Sequence, residues 1–311
     1  MPELPEVQTT VNGIRRYLKG KRIVGIWTDY GGAFHEGKSN IKNIKYFLSF
    51  SKEVNGKTIT DASRIGKNVL IHLTSNLTIV IHMKMTGHIM YGLYEKKGNS
   101  WRAREKGPLR DDPFNKWIHL VFELDDTKHL VLSDLRKFAR VNVVPTDKAL
   151  SSDDLKVIGP DPLDKKLTYD SFKNQLLKRS HGKIKEVLMN QNILAGIGNI
   201  YSDEMLWRAG IHPLSEPNAL NDTIFKKLFS AMREVLLKGI DFGGDSMSDY
   251  RNILGERGTF QAQHEAYRRT GKPCRKRDCP GIIERLKVGG RSGHFCPVHQ
   301  KLFLSMNHSK K

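Results

Sequence analysis

The run Lys67-Asn68-Val69-Leu70-Ile71-His72-Leu73-Thr74-Ser75-Asn76-Leu77-Thr78-Ile79-Val80-Ile81-His82 decides the fold class. Two stretches rich in Val, Ile and Leu flank Thr74-Ser75-Asn76, a turn signal. Val69-Leu70-Ile71-His72-Leu73 alternates with period two. This predicts two antiparallel strands, Lys67–Thr74 and Leu77–Met83. The same grammar recurs on both sides, at Ile23–Trp27, Ile118–Leu124, His129–Asp134 and Ala139–Val144, with Asp125-Asp126-Thr127 as a second turn. Many short strands with polar turns predict an antiparallel sandwich or barrel over residues 1–145. One helix interrupts it. From Pro5 to Leu18 the apolar residues Val7, Val11, Ile14 and Leu18 share a face, and Pro5 suits a first turn because its missing N–H is no loss there. Gly92–Lys116 is polar and Gly-rich and reads as a long surface loop.

Residues 146–163 form a linker. Ser151-Ser152-Asp153-Asp154 is a helix-cap cluster, and Gly159-Pro160-Asp161-Pro162 cannot be a regular element. Beyond it the period becomes helical, at Tyr169–Lys178, Ile184–Asn190, Ile200–Ala209 and Thr223–Gly239. The stripe Phe225, Leu228, Phe229, Met232, Leu236 reads as core. The segments are thus a helical domain, 164–263, ending in a Gly- and polar-rich stretch, and a basic segment, 264–311. The class is α+β with two domains.

Charge points to the partner. The 311 residues carry 52 Lys and Arg against 33 Asp and Glu, a net charge of +19. From Arg268 onward there are twelve Lys and Arg and two acidic residues. Such a balance fits a polyanion, most often nucleic acid. No apolar run is long enough to span a bilayer, and Met1–Thr10 lacks a secretory pattern, so an intracellular protein without membrane partners is expected.

Three Cys near the C-terminus rule out a disulfide framework. Cys274, Cys279, Cys296 and His299 instead form C-x4-C and C-x2-H pairs separated by sixteen residues. Two close pairs of soft ligands suit one tetrahedral Zn²⁺ on a small hairpin, and four protein ligands leave no open position, so the metal is structural. His294 and His308 are rival fourth ligands, and free thiols beside an unrelated His are the plain alternative.

Met1-Pro2-Glu3-Leu4-Pro5-Glu6-Val7 is an unusual opening. Pro2 is small enough for Met1 to be removed, which would expose a secondary amine. Such an amine has an appreciable neutral fraction near pH 7 and can attack a carbonyl-level carbon. Glu3 lies beside it and Glu6 one turn on, able to move protons. Pro and Glu are also ordinary helix-start residues.

The heptapeptide resembles the signature of the formamidopyrimidine-DNA glycosylase and endonuclease VIII family of base-excision repair enzymes. Further matches run in order along almost the whole chain: Ile65-Gly66-Lys67-Asn68, His82-Met83-Lys84-Met85-Thr86-Gly87, Asp134-Leu135-Arg136-Lys137-Phe138, Gly159-Pro160-Asp161-Pro162-Leu163, Gly196-Ile197-Gly198-Asn199-Ile200-Tyr201, Gly210-Ile211-His212-Pro213, and Arg291 five residues before the third Cys. Leu4 favours the formamidopyrimidine branch.

The resemblance implies an N-terminal β-sandwich with flanking helices, a helix–two-turn–helix module and a β-hairpin zinc finger, with damaged double-stranded DNA as the partner of a monomer. It implies a bifunctional glycosylase and lyase. Pro2 is the Schiff-base nucleophile, Glu3 and Glu6 the proton-handling carboxylates, and Lys67 belongs to the same catalytic group. Lys67, His82, Asn199 and Arg291 match phosphate clamps, and Lys137 and Tyr267 join the DNA contacts. Met85, Arg136 and Phe138 match residues that fill the hole left by a flipped base and read its partner. The bland alternatives are a strand residue for His82, a helix cap for Asn199, surface charges for Lys67 and Arg291, and sandwich core for Met85 and Phe138. For Arg136 the alternative is a carboxylate pair.

The sequence departs from the family pattern at Lys84, where Gly is usual, at Lys137, where Arg is usual, and at Arg268 within Tyr267-Arg268-Arg269. The finger's first pair is four apart rather than two, and His299 replaces a fourth Cys. None of these touches Pro2, Glu3 or Glu6. Oxidised purines are the expected lesion. An endonuclease VIII-like action on oxidised pyrimidines and a non-catalytic damage-binding protein are the alternatives.

Overall fold

The computed structural model describes residues 1–31, 37–152 and 155–305. The chain forms two compact units, one of Met1–Lys156 with Ile240–Gln261, the other of Val157–Gly239 with Ala262–Lys311.

The first unit opens with helix α1 (Leu4–Leu18), then β1 (Ile23–Thr28), α2 (Ile44–Val54), β2 (Ile59–Ile65), β3 (Asn68–Leu73), β4 (Leu77–His82) and β5 (His88–Gly92). It continues with β6 (Tyr94–Lys97), β7 (Ser100–Ala103), the single turn α3 (Pro108–Asp111), β8 (Ile118–Leu124), β9 (His129–Ser133) and β10 (Arg140–Pro145). Two antiparallel four-stranded sheets result, in the orders β1-β8-β9-β5 and β10-β4-β3-β2. The β3–β4 register pairs Asn68 with His82 and Leu73 with Leu77, so the Thr74–Asn76 turn closes the hairpin. Ser75 and Asn76 take positive φ there, at 65° and 56°. The expected alternation is seen: Val69, Ile71 and Leu73 enter one core with Val7, Val11, Ile14 and Leu18 of α1.

The stretch expected as a long loop, Gly92–Lys116, is more ordered than its polarity suggests. β6 and β7 form a hairpin whose Tyr94, Trp101 and Ala103 pack with Met90, Val121 and Val131 in a second, smaller core. Two aromatic rings suffice to fold it down.

In the second unit α4 (Tyr169–Leu177), α5 (Ile184–Met189), α6 (Asn199–Ala209) and α7 (Asp222–Asp241) precede the hairpin of β11 (Glu284–Val288) and β12 (Arg291–Phe295). Phe225, Leu228, Met232 and Leu236 are buried as the stripe predicts, while Phe229 stays half-buried against Tyr169 and Phe172.

The sequence reading groups Ile240–Gln261 with the helices, but its contacts run to the sandwich. Ile253 fills a notch at Gly13 of α1, where a Cβ would lie 2.5 Å from its Cγ2. The Ile253 carbonyl accepts the Tyr91 N–H at 2.8 Å. Buried Arg251 pairs with Asp112 at 2.7 Å and lies over the Phe114 ring. Of the cap cluster at the linker, Asp153 and Asp154 lie outside the described residues.

Candidate functional site

The head of α1 is built around two buried carboxylates. Glu3 caps the helix and Pro5 occupies its first turn. The Glu3 N–H donates to Glu6 Oε2 at 2.7 Å, and Glu6 Oε1 accepts the Asp245 N–H at 2.8 Å. Glu3 and Glu6 are 3% and 1% exposed, so neither is a surface charge. Pro2 is buried beside them. The Tyr250 hydroxyl donates to the Glu6 carbonyl at 3.0 Å. Burial, with the Glu6 charge nearby, pushes the Tyr250 phenol well up, so it remains a donor. The backbone carrying Asp245 can approach because Gly244, at φ +84, has no Cβ: one would sit 2.9 Å from Glu6 Cγ. Gly258 crosses close behind, where a Cβ would overlap the carbonyl oxygens of Gly243 and Gly244. The loop between is thus closed at a glycine neck, tied by Thr259 N–H to the Phe242 carbonyl at 2.8 Å and Gly258 N–H to Ser246 Oγ at 2.8 Å.

Lys67 follows Gly66 in the β2–β3 turn and is 7% exposed. His82 ends β4, opposite Asn68 on one side and Arg140 on the other. Burial and then the charges of Lys84, Lys67 and Arg140 hold its imidazolium down to about 3. His82 is therefore neutral near pH 7. Its Nδ1 accepts the Lys84 N–H at 3.0 Å, which leaves the proton on Nε2 as an uncharged donor.

Met85 and Phe138 are 39% and 46% exposed, which excludes the reading as sandwich core. The Arg136 guanidinium lies over the Phe138 ring at 4.5 Å, and no carboxylate pairs with it among the described residues. One residue holds both tips. Asp134 is wholly buried and accepts from Tyr30 Oη at 3.1 Å, from Ala139 N at 2.7 Å and from Thr86 Oγ1. Thr86 Oγ1 in turn accepts the Arg136 N–H at 3.1 Å. Lys84 and Lys137, the residues next to the tips, have φ of 54° and 53°. Lys137 is paired with Asp29 at 3.2 Å.

In the second unit Asn199 is the first residue of α6, after Gly198. Its Oδ1 is buried without a hydrogen-bond partner. A helix start suits an anion, since its first-turn N–H groups point out of the helix, whereas the orphan Oδ1 is an acceptor and calls for a donor. A fully buried ion pair lies behind it. Lys185 Nζ donates to Asp203 Oδ1 at 2.6 Å, to Ser202 Oγ at 2.9 Å and to the Asn199 carbonyl at 3.2 Å. The other Asp203 oxygen accepts His294 Nδ1–H and N–H, both at 2.9 Å. The pair thus ties the α6 start to β12, which begins at Arg291 after the left-handed Gly289–Gly290 turn. Tyr267 is held by its N–H on Glu204 at 2.8 Å and packs edge-on against His264 and His294. Sequence reading missed Lys185, Asp203 and Asp134. The one available signal was a charge within the buried face Ile184, Val187, Leu188.

Cys274, Cys279, Cys296 and His299 gather with their ligand atoms within 4.8 Å of one another. The Cys279–Cys296 sulfur separation is 3.6 Å, and Cys274 Sγ lies 3.3 Å from His299 Nδ1. Tetrahedral zinc with Zn–S near ~2.3 Å needs sulfurs roughly 3.7 Å apart. His299 Nε2 donates to the Trp207 carbonyl at 3.0 Å, which fixes the tautomer with a free Nδ1 lone pair. The residues fit a structural metal site. His294 is committed to Asp203 and is not part of the cluster, and His308 lies outside the described residues.

Among the described residues no helix is long and apolar enough to cross a membrane. The chain matches the formamidopyrimidine-DNA glycosylase N-terminal domain over residues 1–141 and the H2TH domain of the same enzymes over 158–251. It is 36% identical over 302 residues to the formamidopyrimidine-DNA glycosylase of Pediococcus pentosaceus, covering 97% of this chain and 100% of that one. The Heliobacterium modesticaldum enzyme is 37% identical over 304 residues, with 97% and 100% covered. Among solved structures, Lactococcus lactis Fpg in complex with abasic-site DNA superposes with a TM-score of 0.80 at 32% identity, covering 96% and 99% of the two chains. A point mutant of that enzyme, solved with Fapy-dG DNA, gives 0.80 at 33%, covering 96% and 100%. With matches across nearly its full length, the chain belongs to the formamidopyrimidine-DNA glycosylase family.

Proposed function

We propose that this chain is a bifunctional DNA glycosylase and abasic-site lyase for oxidised purines, 8-oxoguanine and formamidopyrimidines, in duplex DNA. It acts as an intracellular monomer. The observation that carries the reading is the head of α1, where buried Glu3 is held by Glu6 directly after Pro2. Relatives of similar extent, solved on abasic-site and Fapy-dG DNA, support the substrate class.

Removal of Met1 frees the Pro2 amine. Its neutral form attacks C1′ of the damaged nucleotide, the base departs with the glycosidic electron pair, and the proton that the Pro2 nitrogen sheds passes to the departing base. Glu3 protonates the ring oxygen as the C1′–O4′ bond opens, leaving an iminium between Pro2 and C1′. Loss of a C2′ proton then expels the 3′-phosphate, and a second elimination expels the 5′-phosphate. Glu6 orients Glu3 through its N–H. Lys67, neutral His82 and Asn199 grip phosphates, with Arg291, Lys137 and Tyr267 as further DNA contacts. Met85 and Phe138 fill the vacated stack, and Arg136 reads the orphan base. The Cys3His cluster holds one structural Zn²⁺, which folds the hairpin that presents Arg291.

Borohydride should trap the protein covalently on abasic-site duplex. One residue added before Pro2 turns the amine into an amide, and trapping should vanish. Full trapping with that blocked terminus would overturn the mechanism.

A further inference from the structure

The void-filling side chains proposed above stand on two loops, and both loops cross between the two sheets of the sandwich. Residues 83–87 lead from β4 in one sheet to β5 in the other, and residues 134–139 lead back from β9 to β10. The strands that hold them are paired. His82 faces Arg140 at one end of the loops, and His88 faces Ser133 at the other. The loops therefore run antiparallel, with their ends fixed by the sheet ladders.

Each loop is tightened in the same way. The Gly87 N–H donates to the Met83 carbonyl at 3.1 Å, and the Lys137 N–H donates to the Asp134 carbonyl at 3.0 Å. At Gly87 a Cβ would lie 2.5 Å from that Met83 oxygen. Lys84 and Lys137 take left-handed φ immediately before Met85 and Phe138.

One side chain bridges the two loops. Thr86 is 5% exposed, and its hydroxyl is used in both senses: it donates to Asp134 Oδ1 and accepts the Arg136 N–H at 3.1 Å. Thr86 directly follows Met85, so this hydroxyl links the main chain that aims Met85 to the main chain that aims Arg136. Asp134 is itself held, since Oδ2 accepts from Tyr30 Oη and the Ala139 N–H, and its own N–H donates to the Trp117 carbonyl at 2.8 Å. The two tips differ in what they demand. Met85 fills space by apolar contact, which has no preferred direction. A guanidinium reading a base edge needs hydrogen bonds, which weaken steeply with misalignment. Loss of the bridge should therefore harm reading more than wedging. We propose that Thr86 is a specificity-positioning residue, whose hydroxyl fixes the Arg136 backbone relative to Met85 so that filling the stack and reading the orphan base occur as one event. This rests on the reading of Met85, Arg136 and Phe138 given above.

The test uses the full-length, zinc-loaded protein and non-reactive duplexes carrying a tetrahydrofuran abasic analogue opposite cytosine or adenine. Affinity is read by the anisotropy of a fluorescein-labelled strand. The wild type should prefer cytosine. Thr86→Val keeps the shape but neither donates nor accepts, and should shrink that preference about fivefold to tenfold. Thr86→Ser keeps the hydroxyl and should hold the preference within about twofold of the wild type. Thr86→Ala, which cannot clash, should show the same loss as valine and covers a folding defect in that variant. Arg136→Ala combined with Met85→Ala should cost less than the product of the single losses in the wild type, and the full product in the Thr86→Val background. The proposal is overturned by a valine or alanine variant that keeps the cytosine preference or weakens both duplexes equally, by a serine variant that behaves as valine does, or by a wild type with no preference. Failure of the wild type to be trapped by borohydride on abasic-site DNA would sink the enzymatic reading alone, because the affinity measurements need no chemistry.

Discussion

Lys84 shows what a departure from a family pattern costs. Its φ of +54 is left-handed, and for a residue with a Cβ that conformation costs roughly 1–2 kcal/mol. A Gly would take the geometry of the turn before Met85 without that strain. Lys84→Gly is expected to raise stability by about 0.5–1 kcal/mol, after the extra unfolded-state entropy of glycine, measured by urea unfolding. No gain would mean that the lysine's contacts offset the strain. For Arg136 the proposed reading role turns on its chemistry. Cytosine's pairing edge offers two acceptors to a guanidinium fork, whereas adenine sets a donor against it. Arg136→Ala should therefore flatten the preference for cytosine over adenine opposite 8-oxoguanine by about ten- to a hundredfold in single-turnover excision. Phe138→Ala should slow excision for every partner base. A ratio that stays unchanged in the Arg136 variant would remove its reading role.

The elements differ in how far local sequence determines them. β3 and β4 were legible because alternation, turn and register all agree, and α1 because four apolar residues share a face that lands in the core. β2 was not, since Ile59-Thr60-Asp61-Ala62-Ser63-Arg64-Ile65 is mostly polar and is held by pairing with β3. The segment carrying Asp245 and Tyr250 was opaque for a deeper reason. Its place is set by contacts some 240 residues away in the chain, such as Ile253 in the Gly13 notch and Asp245 on Glu6. Gly258→Ala tests the neck of that loop. The new methyl would meet backbone oxygens, which cannot step aside as a side chain can. A loss of about 2–3 kcal/mol is expected, together with weaker trapping on abasic DNA, because Glu6 loses its anchor. Wild-type trapping would separate the loop from the chemistry. His88 ties the same loop to β5 through Asn115, whose side chain donates to the Gly255 carbonyl at 3.0 Å. Burial holds His88 down to about 4, and His82 is down to about 3. The unfolded chain takes up protons near pH 6.5 that the native state refuses, so this stability is complete above about pH 6.5 and is lost as pH falls to about 4 for His88 and about 3 for His82. Each histidine should contribute a slope of up to about 1.4 kcal/mol per pH unit in that window. Urea unfolding at pH 7 and pH 5 should show a smaller difference for His82→Gln with His88→Gln than for the wild type.

At the scale of the whole molecule, charge and metal act together. The chain carries +19, and its basic C-terminal hairpin segment bears a Cys3His cluster that fits a structural metal. Its own core is small: Trp207, Ala266, Cys274, Ile283 and Cys296, three of them from the hairpin segment or its knuckles. Stripping zinc with a chelator should abolish tight duplex binding while the sandwich keeps its cooperative unfolding, and added Zn²⁺ should restore binding. Full duplex affinity in metal-free protein would separate the finger from DNA binding. The chain also passes between its two units three times, near residues 156, 239 and 261. A chimera between two relatives joined after the sandwich strands would inherit α1 from one parent and Asp245, Tyr250 and Ile253 from the other. The catalytic half of this enzyme is thus a two-piece graft, and exchanging substrate preference by swapping halves requires that residues 240–261 travel with the N-terminus.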